Sequence, residues 1–266
     1  MTLGMASQSE VFEVLSELAP LHLSEAWDNT GWILDLGPGA SVSSLLLTID
    51  VTRSVVEEAK GLGVELIIAY HPPIFSGLKK LRQGHPEESL ILALIEAQIS
   101  VYSPHTALDA ARGGMTDWLA SALGQGEVRP IVSSPLDPAL GAGRFIELAH
   151  AVSLEEATSR VKKQLGLGSV RVSESPHKAM IRSAAVCPGA GGALFERVAD
   201  VDLLLTGEMR HHDVLSRSRR GCHVILTEHS NSERGYLPVL AERLRKNLPQ
   251  LKFHVSVADR DPLEMR

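Results

Sequence analysis

The sequence has few cysteines, few aromatic residues and no long apolar run, and each shortage excludes a class of protein. Two cysteines among 266 residues exclude a disulfide framework and a zinc site built from four thiolates. No apolar run reaches the roughly 18 residues that a membrane-spanning helix needs. The formal net charge of -6 gives no general attraction to nucleic acid or anionic membranes. We therefore expect a globular, cytoplasmic protein that binds neither membranes nor nucleic acid.

Short apolar runs alternate with helical patterns along most of the chain. Aromatic residues make up only 4% of the sequence, so Leu, Val, Ile and Ala must build the core. Runs such as SLLLTID, VELIIAY and VDLLLTG have the length and composition of buried strands. Strands that alternate with helices predict an α/β fold in three layers, with mainly parallel sheets covered by helices.

Two sections of the chain share the same order of elements. SLLLTID, a helix and VELIIAYH can be laid over SAAVCPG, a helix and VDLLLTGE, which aligns Asp50 with Cys187 and Ala69 with Thr206. We therefore predict two related α/β halves, residues 1–125 and 179–266, with a small strand–helix–strand excursion at 126–178. If the repeat is real, the halves pair about a pseudo-twofold axis around one cleft. A chance similarity between two α/β units is the alternative.

Histidines and carboxylates stand together at the ends of predicted strands. An acidic residue follows His105 four places on, at Asp109, and another follows His229 at Glu233. Further polar groups follow two other strands: Tyr70, His71, Glu208, His211 and His212. Imidazole and carboxylate ligands suit zinc, iron, manganese, cobalt or nickel. The pattern predicts a divalent-metal site in the cleft between the halves. Scattered histidines that are solvated or bound to backbone are the alternative.

Five longer segments together resemble the signatures of one family. WDNTG, YHPPIF, HTALDAARGGMTDWLA, TGEMRHHDVL and GCHVILTEHSNSERGYL occur in family order between residues 27 and 237. They resemble the GTP cyclohydrolase I type 2 homologues, or dinuclear metal-centre proteins, which include the Ngg-one-interacting-factor-three-like proteins. This resemblance implies a metal site more firmly than a substrate, because the physiological reaction of most family members is unsettled.

The resemblance also implies which residues bind metal. The family ligands fall on His71, Asp109, His229 and Glu233, with Glu233 as the bridge between two divalent ions. Tyr70 stands where the family motif has a further histidine. A neutral phenol is a poor ligand, since its reference pKa is near 10. We therefore predict one tightly bound ion and a second, weaker one for which Tyr70 is a weak ligand.

Three more residues are candidates for catalysis or for orienting the metal ligands: His105, Glu208 and His211. The alternative for His105 is a loop histidine bound to backbone, and for Glu208 a carboxylate that complements a helix dipole. Of the pair His211 and His212, we expect one to face the cleft and the other to pack or be solvated.

Glycines and an acidic turn complete the set of candidates. Gly189, Gly191 and Gly192 join a strand to a helix and could offer backbone N–H groups to a phosphate, although a tight turn is the alternative. Asp28 and Asn29 hold either the entry turn or the wall of the site.

These features predict a divalent-metal-binding protein with two candidate functions. The first is a metal-dependent hydrolase that acts on a nucleotide or on another small heterocyclic or phosphorylated substrate; only the family label implies GTP ring opening. The second is a non-catalytic metal-binding scaffold or regulatory interaction protein. The resemblance further implies a homo-oligomer, with a ring hexamer as the family's usual assembly. The sequence alone leaves open whether the protein is an enzyme.

Overall fold

The computed structural model describes residues 4–37, 40–177 and 180–263. The predicted α/β fold class is confirmed, because helices alternate with strands in parallel and mixed sheets. In chain order the elements are β1 (Ala6–Ser7), α1 (Gln8–Leu18), β2 (Gly31–Leu34), β3 (Ser41–Val42), β4 (Ser44–Thr48), α2 (Arg53–Leu62), β5 (Leu66–Ala69), α3 (Pro86–Glu96), β6 (Ser100–Ser103), α4 (His105–Ala110), α5 (Met115–Ser121), β7 (Gly126–Arg129), β8 (Val132–Ser133), β9 (Gly141–Ala142), β10 (Arg144–Val152), α6 (Leu154–Leu165), β11 (Arg171–Ser173), β12 (Ile181–Cys187), α7 (Gly192–Phe195), β13 (Leu203–Thr206), α8 (His211–Arg219), β14 (His223–Leu226), α9 (Leu237–Asn247) and β15 (Lys252–Val255). Short 3-10 helices lie at Leu21–Leu23, Ser230–Ser232 and Arg234–Tyr236. Within these ranges, every helix is too short or too polar to cross a bilayer.

The chain forms two compact units whose limits differ from the predicted ones. The first unit contains the described residues up to Leu108 together with those from Leu237 onward, and the second is Asp109–Tyr236. The prediction placed everything from 179 to the C-terminus in the second half, and it made 126–178 a separate excursion. Its boundary between residues 178 and 179 lies outside the described residues.

A five-stranded sheet forms the centre of the first unit. Its order is β15-β4-β5-β6-β2, and only β2 runs antiparallel to its neighbour. All residues of β4 and β5 are buried, as expected for parallel strands covered on both faces. Thr52 caps the start of α2, and Gly63 ends that helix in a left-handed conformation. The core between this sheet and helices α2 and α3 includes Leu46, Val56 and Leu94.

The C-terminal segment belongs to the first unit because it completes this sheet. Strand β15 pairs in parallel with β4, so it extends the sheet beyond the strands that precede it in the chain. The Glu58 carboxylate then accepts hydrogen bonds from the backbone N–H groups of Val257 and Ala258, at 2.9 and 3.2 Å. Asp259 accepts the N–H of Ile49 at 2.8 Å. These contacts join the C-terminal strand and the residues after it to the first unit, whereas the prediction assigned them to the second half.

A six-stranded mixed sheet forms the centre of the second unit. Its order is β11-β14-β13-β12-β10-β7, with β12, β13 and β14 parallel to one another. The two strands of the predicted excursion correspond to β10 and β11, and β7 lies at the start of the same range. All three strands are members of this sheet and pair antiparallel with their neighbours. Residues of α6 such as Ala157 and Val161 share one core with Ile181 and Leu205. The excursion is therefore part of the second unit.

The predicted repeat is visible in the strand order of each unit, but its alignment shifts. Three consecutive parallel strands form β4-β5-β6 in the first unit and β12-β13-β14 in the second. Thr48 pairs with Ala69, and Cys187 pairs with Thr206. Strand register therefore makes Thr48, rather than Asp50, the counterpart of Cys187, because Asp50 lies beyond the end of β4.

Candidate metal centre

His71 is placed by the end of strand β5 in the first unit. Its backbone N–H donates to the carbonyl of Ile49 at 3.0 Å, which continues the pairing of β5 with β4. Its Nδ1 lies 2.9 Å from Oδ1 of Asp50, the residue just past β4. A carboxylate on Nδ1 fixes the ring orientation and directs Nε2 outward as a ligand, as is common for metal-binding histidines.

Aromatic rings pack around His71 within the same unit. The Tyr70 ring lies 4.9 Å from that of His71, and the His105 ring meets His71 edge-on at 5.3 Å. Tyr70 is only 3% exposed, and its carbonyl accepts a 2.7 Å hydrogen bond from Ser103. His71 is therefore held on one side by a carboxylate and on the other by rings.

His105 is fixed by the buried carboxylate of Asp28. The two side chains meet at 2.7 Å between His105 Nδ1 and Asp28 Oδ1, and the side chain of Asp28 is fully buried. Thr106 donates both its backbone N–H and its hydroxyl to the other carboxylate oxygen. Burial opposes the charged form, but the hydrogen bonds from His105 and Thr106 outweigh it and hold the pKa of Asp28 below its usual value. Asp28 therefore supports the site wall.

His229 is placed just past strand β14 in the second unit. Its Nδ1 lies 2.8 Å from Oε1 of Glu208, so a carboxylate orients this ring too. This contact is the one that the orienting role of Glu208 requires, and the role itself stays a prediction. The residue before His229, Glu228, has a φ of +69°. This left-handed conformation is uncommon for a residue with a side chain. Arg171 forms an ion pair of 2.8 Å with Glu228 Oε1.

Glu233 presents a buried carboxylate beside His229. Its side chain is 2% exposed, and its Oε1 lies 3.7 Å from His229 Nε2. Gly189 lies very close to both groups. A Cβ at this position would meet Glu233 Oε1 at 2.9 Å and His229 Nε2 at 3.0 Å. Gly189 also has a φ of +59°, which favours glycine. Only glycine fits this position without displacing the two predicted ligands.

Three of the predicted ligands form a group that could hold a metal ion. One ligand atom from each of His71, His229 and Glu233 lies within 4.8 Å of the others. Two imidazoles and one carboxylate are a donor set that suits zinc and neighbouring first-row divalent metals. Asp109, the fourth predicted ligand, is not a member of this group. It lies half-buried in α4.

Arg144 anchors the chain that follows Asp109. Its guanidinium is 2% exposed and donates to the carbonyls of Ala110 and Ala111, both at 3.1 Å. It also bonds the carboxylate of Asp117. A buried charge is tolerated when it is paired and hydrogen-bonded in this way. The backbone next to Asp109 is therefore fixed by a residue from β10.

Backbone N–H groups of the glycine loop donate to acceptors within the protein. The N–H of Gly189 donates to the hydroxyl of Ser232 at 2.8 Å, and the N–H of Gly191 donates to Thr206 Oγ1 at 3.0 Å. Gly192 begins α7, a helix of only four residues. Two of these three N–H groups therefore already have acceptors within the protein, as in a tight turn, and phosphate binding by the loop stays a prediction.

His211 and His212 are both exposed at the start of α8, with their rings 5.3 Å apart. Exposure agrees with the solvated alternative for one of the pair, and that the other faces the cleft stays a prediction. No residue of α8 is buried, and neither histidine packs into a core.

Sequence reasoning missed four residues that contact the predicted ligands or residues next to them in the chain: Asp50, Ser232, Arg144 and Arg171. Asp50 could have been found, because it is a polar residue directly past a buried strand, as the predicted ligands are. Ser232 lies between the two predicted ligands of its segment, but nothing in the sequence points to its bond with Gly189. The arginines act from strands distant in sequence, and no local pattern indicates them.

Comparisons with known proteins agree with this fold. The family model described as Duf34/NIF3 (NGG1p interacting factor 3) matches residues 6–262. The NIF3-like protein 1 of Drosophila melanogaster is 37% identical over 262 residues, covering 95% of this chain and 87% of that protein. The NGG1-interacting factor 3 of Saccharomyces cerevisiae is 38% identical over 265 residues and covers 91% of each chain. The crystal structure of a Bacillus cereus protein related to NIF3 has a TM-score of 0.88 at 19% identity, covering 98% of this chain and 99% of that one.

The extent of these matches decides the family. The family model spans nearly the whole chain, and relatives above 30% identity cover at least nine-tenths of it. The structural neighbour supports the fold alone. The resemblance inferred from the five sequence segments is thereby confirmed, and the chain belongs to the DUF34/NIF3 family.

Proposed function

We propose that this protein is a divalent-metal-dependent hydrolase that acts on a nucleotide or on another small heterocyclic or phosphorylated substrate. The observation that carries the proposal is the grouping of His71, His229 and Glu233. Each histidine has a carboxylate on Nδ1, at 2.9 Å for His71 and 2.8 Å for His229, which makes Nε2 the nitrogen that would bind metal. When bound, a divalent ion supplies Lewis acidity, which polarises a reacting oxygen and lowers the pKa of water.

The chain's own residues then divide the remaining tasks. Asp50 and Glu208 hold the ligand rings in one orientation. Asp28 fixes His105 through Nδ1, so Nε2 of His105 is the basic nitrogen, and we propose that it carries a proton during the reaction. A carboxylate–histidine pair next to the ring of His71 is well placed for that role, since the two imidazoles are 5.3 Å apart.

We further propose that Asp109 completes the ligand set and that a second ion binds more weakly. Glu233 would bridge the two ions, and Tyr70 would contribute to the second. Tyr70 is nearly fully buried, and a neutral phenol binds metal poorly. Titration with zinc should therefore give one tight and one weak step, and Tyr70→Phe should affect only the weak step. Two equally tight ions, unaffected by Tyr70→Phe, would contradict this assignment.

The hydrolase proposal is tested with the metal-loaded protein on a panel of nucleotides, phosphoesters and cyclic amides that includes GTP. Turnover should appear with at least one class and should vanish in Glu233→Gln, because the buried carboxylate is lost as a ligand. Glu242→Gln, at a 64% exposed side chain of α9, is the matched control and should keep full activity. Absence of turnover across the panel, with metal bound, would refute the enzymatic function.

A non-catalytic interaction protein is the second candidate. The observation that favours it is the name of the Saccharomyces cerevisiae relative, NGG1-interacting factor 3. Glu208→Ala separates the two functions: a scaffold should keep its assembly and partner binding, whereas an enzyme should lose turnover. We also propose a homo-oligomer, with a ring hexamer as the specific assembly to test by analytical ultracentrifugation.

A further inference from the structure

Two large aromatic side chains of the first unit face solvent side by side. Trp27 is 61% exposed and Phe75 is 55% exposed, and their ring centroids lie 6.1 Å apart. Aromatic residues are only 4% of the sequence, and such rings ordinarily contribute most of their area to a core. A neighbouring pair left in water marks a surface that binds something flat and apolar. We call Trp27 and Phe75 the aromatic platform.

The platform is held rigidly by hydrogen bonds beneath it. Asp28, next to Trp27, has a fully buried side chain that accepts hydrogen bonds from His105 and Thr106. The side-chain amide of Asn29 donates to the carbonyl of Ile74, the residue before Phe75, so the two loops are joined directly. A surface that is already ordered loses little conformational entropy when a ligand binds.

A row of rings connects the platform to a predicted metal ligand. Trp27 meets the His105 ring edge-on at 6.1 Å, and His105 meets the His71 ring edge-on at 5.3 Å. His105 is therefore the ring that links Trp27 to His71 in this row of contacts. This continuity favours a small ligand over a protein partner, whose interface would need about 800 Å² on each side.

We propose that Trp27 and Phe75 form the stacking site for a planar nitrogen heterocycle, such as a purine, pterin or pyridine ring, that is part of the substrate. The inference rests on the proposed hydrolase function for the reaction of the bound substrate, whereas binding of the heterocycle by stacking requires no metal ion. Stacking on tryptophan recognises the flat face of a heterocycle without reading its edge, so it selects a chemical class and not one base.

Binding is tested with four probes: guanosine, adenosine, pterin and nicotinamide, with ribose as the non-planar control. Isothermal titration and quenching of tryptophan fluorescence should both show saturable binding of at least one heterocycle and none of ribose. Trp27→Ala should weaken that binding about 5- to 150-fold, and Trp27→Phe should restore most of it. Leu136→Ala, at a 73% exposed side chain in the second unit, is the control and should bind normally.

The outcomes separate this inference from the hydrolase proposal because zinc affinity is measured on the same samples. Trp27→Ala should bind zinc like the wild type, so a loss of heterocycle binding alone supports the platform. No saturable binding of any of the four heterocycles to the wild type would overturn it, whether or not zinc binds. A change in sedimentation mass in Trp27→Ala would also overturn it, since the platform would then be an interface between copies of the chain.

Discussion

A carboxylate on Nδ1 orients each of the two histidines in the candidate metal-binding group, but different contacts support them. In the first unit, Asp50 holds Nδ1 of His71 at 2.9 Å, and the rings of Tyr70 and His105 pack against it. In the second unit, Glu208 holds Nδ1 of His229 at 2.8 Å.

In the second unit, backbone geometry supports His229 and Glu233. Gly189 approaches the His229 ring and the Glu233 carboxylate so closely that it cannot carry a side chain. Glu228 adopts a left-handed conformation directly before His229. The comparison shows that a repeated carboxylate–histidine pair can be stabilised either by side-chain packing or by backbone geometry. The two supports should respond differently to substitution.

The largest effect on zinc affinity is expected for Gly189→Ala, which disturbs the backbone packed against His229 and Glu233. The added Cβ would lie 2.9 Å from Glu233 Oε1 and 3.0 Å from His229 Nε2, so both ligands must move. Zinc affinity should fall by about 100-fold, the upper end of the range for residues that orient ligands. Stability should fall by about 1–3 kcal/mol because φ is positive.

Gly166→Ala is the matched control for that change. Its φ of +67° is similar, but a Cβ at Gly166 would meet nothing within 4 Å. It should lose comparable stability in urea denaturation and keep wild-type zinc affinity. Equal zinc affinity in both variants would show that the close approach of Gly189 does not position the ligands.

Neutralising the two orienting carboxylates tests whether a carboxylate on Nδ1 positions each histidine for metal binding. Asp50→Asn and Glu208→Gln should each reduce zinc affinity roughly 10- to 100-fold, measured by competition with a chromophoric chelator. Asp50→Asn should have the larger effect, since the Asp50 side chain is 37% exposed and that of Glu208 is 51% exposed. The reverse order would show that ring packing, and not the carboxylate, dominates at His71.

Asp28→Asn tests the packing support in the first unit through pH. The pKa of Asp28 is lowered in the folded protein, so its charged form contributes stability above the unfolded value near 3.9, and this is lost as pH falls through the folded value. The variant should be about 1–3 kcal/mol less stable at pH 7, with a smaller difference below about pH 4. Urea denaturation at both pH values checks this, with Asp200→Asn as an exposed control. A pH-independent difference would mean that the charge is not responsible.

The smallest effect is expected for Arg171→Gln. Its ion pair with Glu228 is 2.8 Å long, but the Arg171 side chain is 56% exposed, so the loss should stay below about 1 kcal/mol. Backbone hydrogen bonds from Glu228 to Gly207 and from Ser232 to Glu228 hold the left-handed turn without it. Zinc affinity should therefore be unchanged. A marked loss would identify Arg171 as a positioning residue for His229.

Local patterns in the sequence were sufficient to predict the helices and strands and the polar residues at the carboxyl ends of the strands. Buried runs such as Leu66–Ala69 and Leu203–Thr206 are strands in the structure because their residues can be buried on both faces of a parallel sheet. His71 and His229 were found because each follows such a run. The pairing of the C-terminal strand with β4 could not be predicted, because the composition of a strand does not say which sheet edge it will pair with.

What the sequence determined by itself is therefore the α/β class, the family and the residue types at the carboxyl ends of the strands, since these depend on periodicity and on order along the chain. Tertiary structure decided what each of these residues touches. The bond of Asp50 to His71, the closeness of Gly189 to Glu233 and the pairing of β15 with β4 join positions distant in sequence. Such contacts follow from how strands and loops pack, and packing is a property of the whole chain.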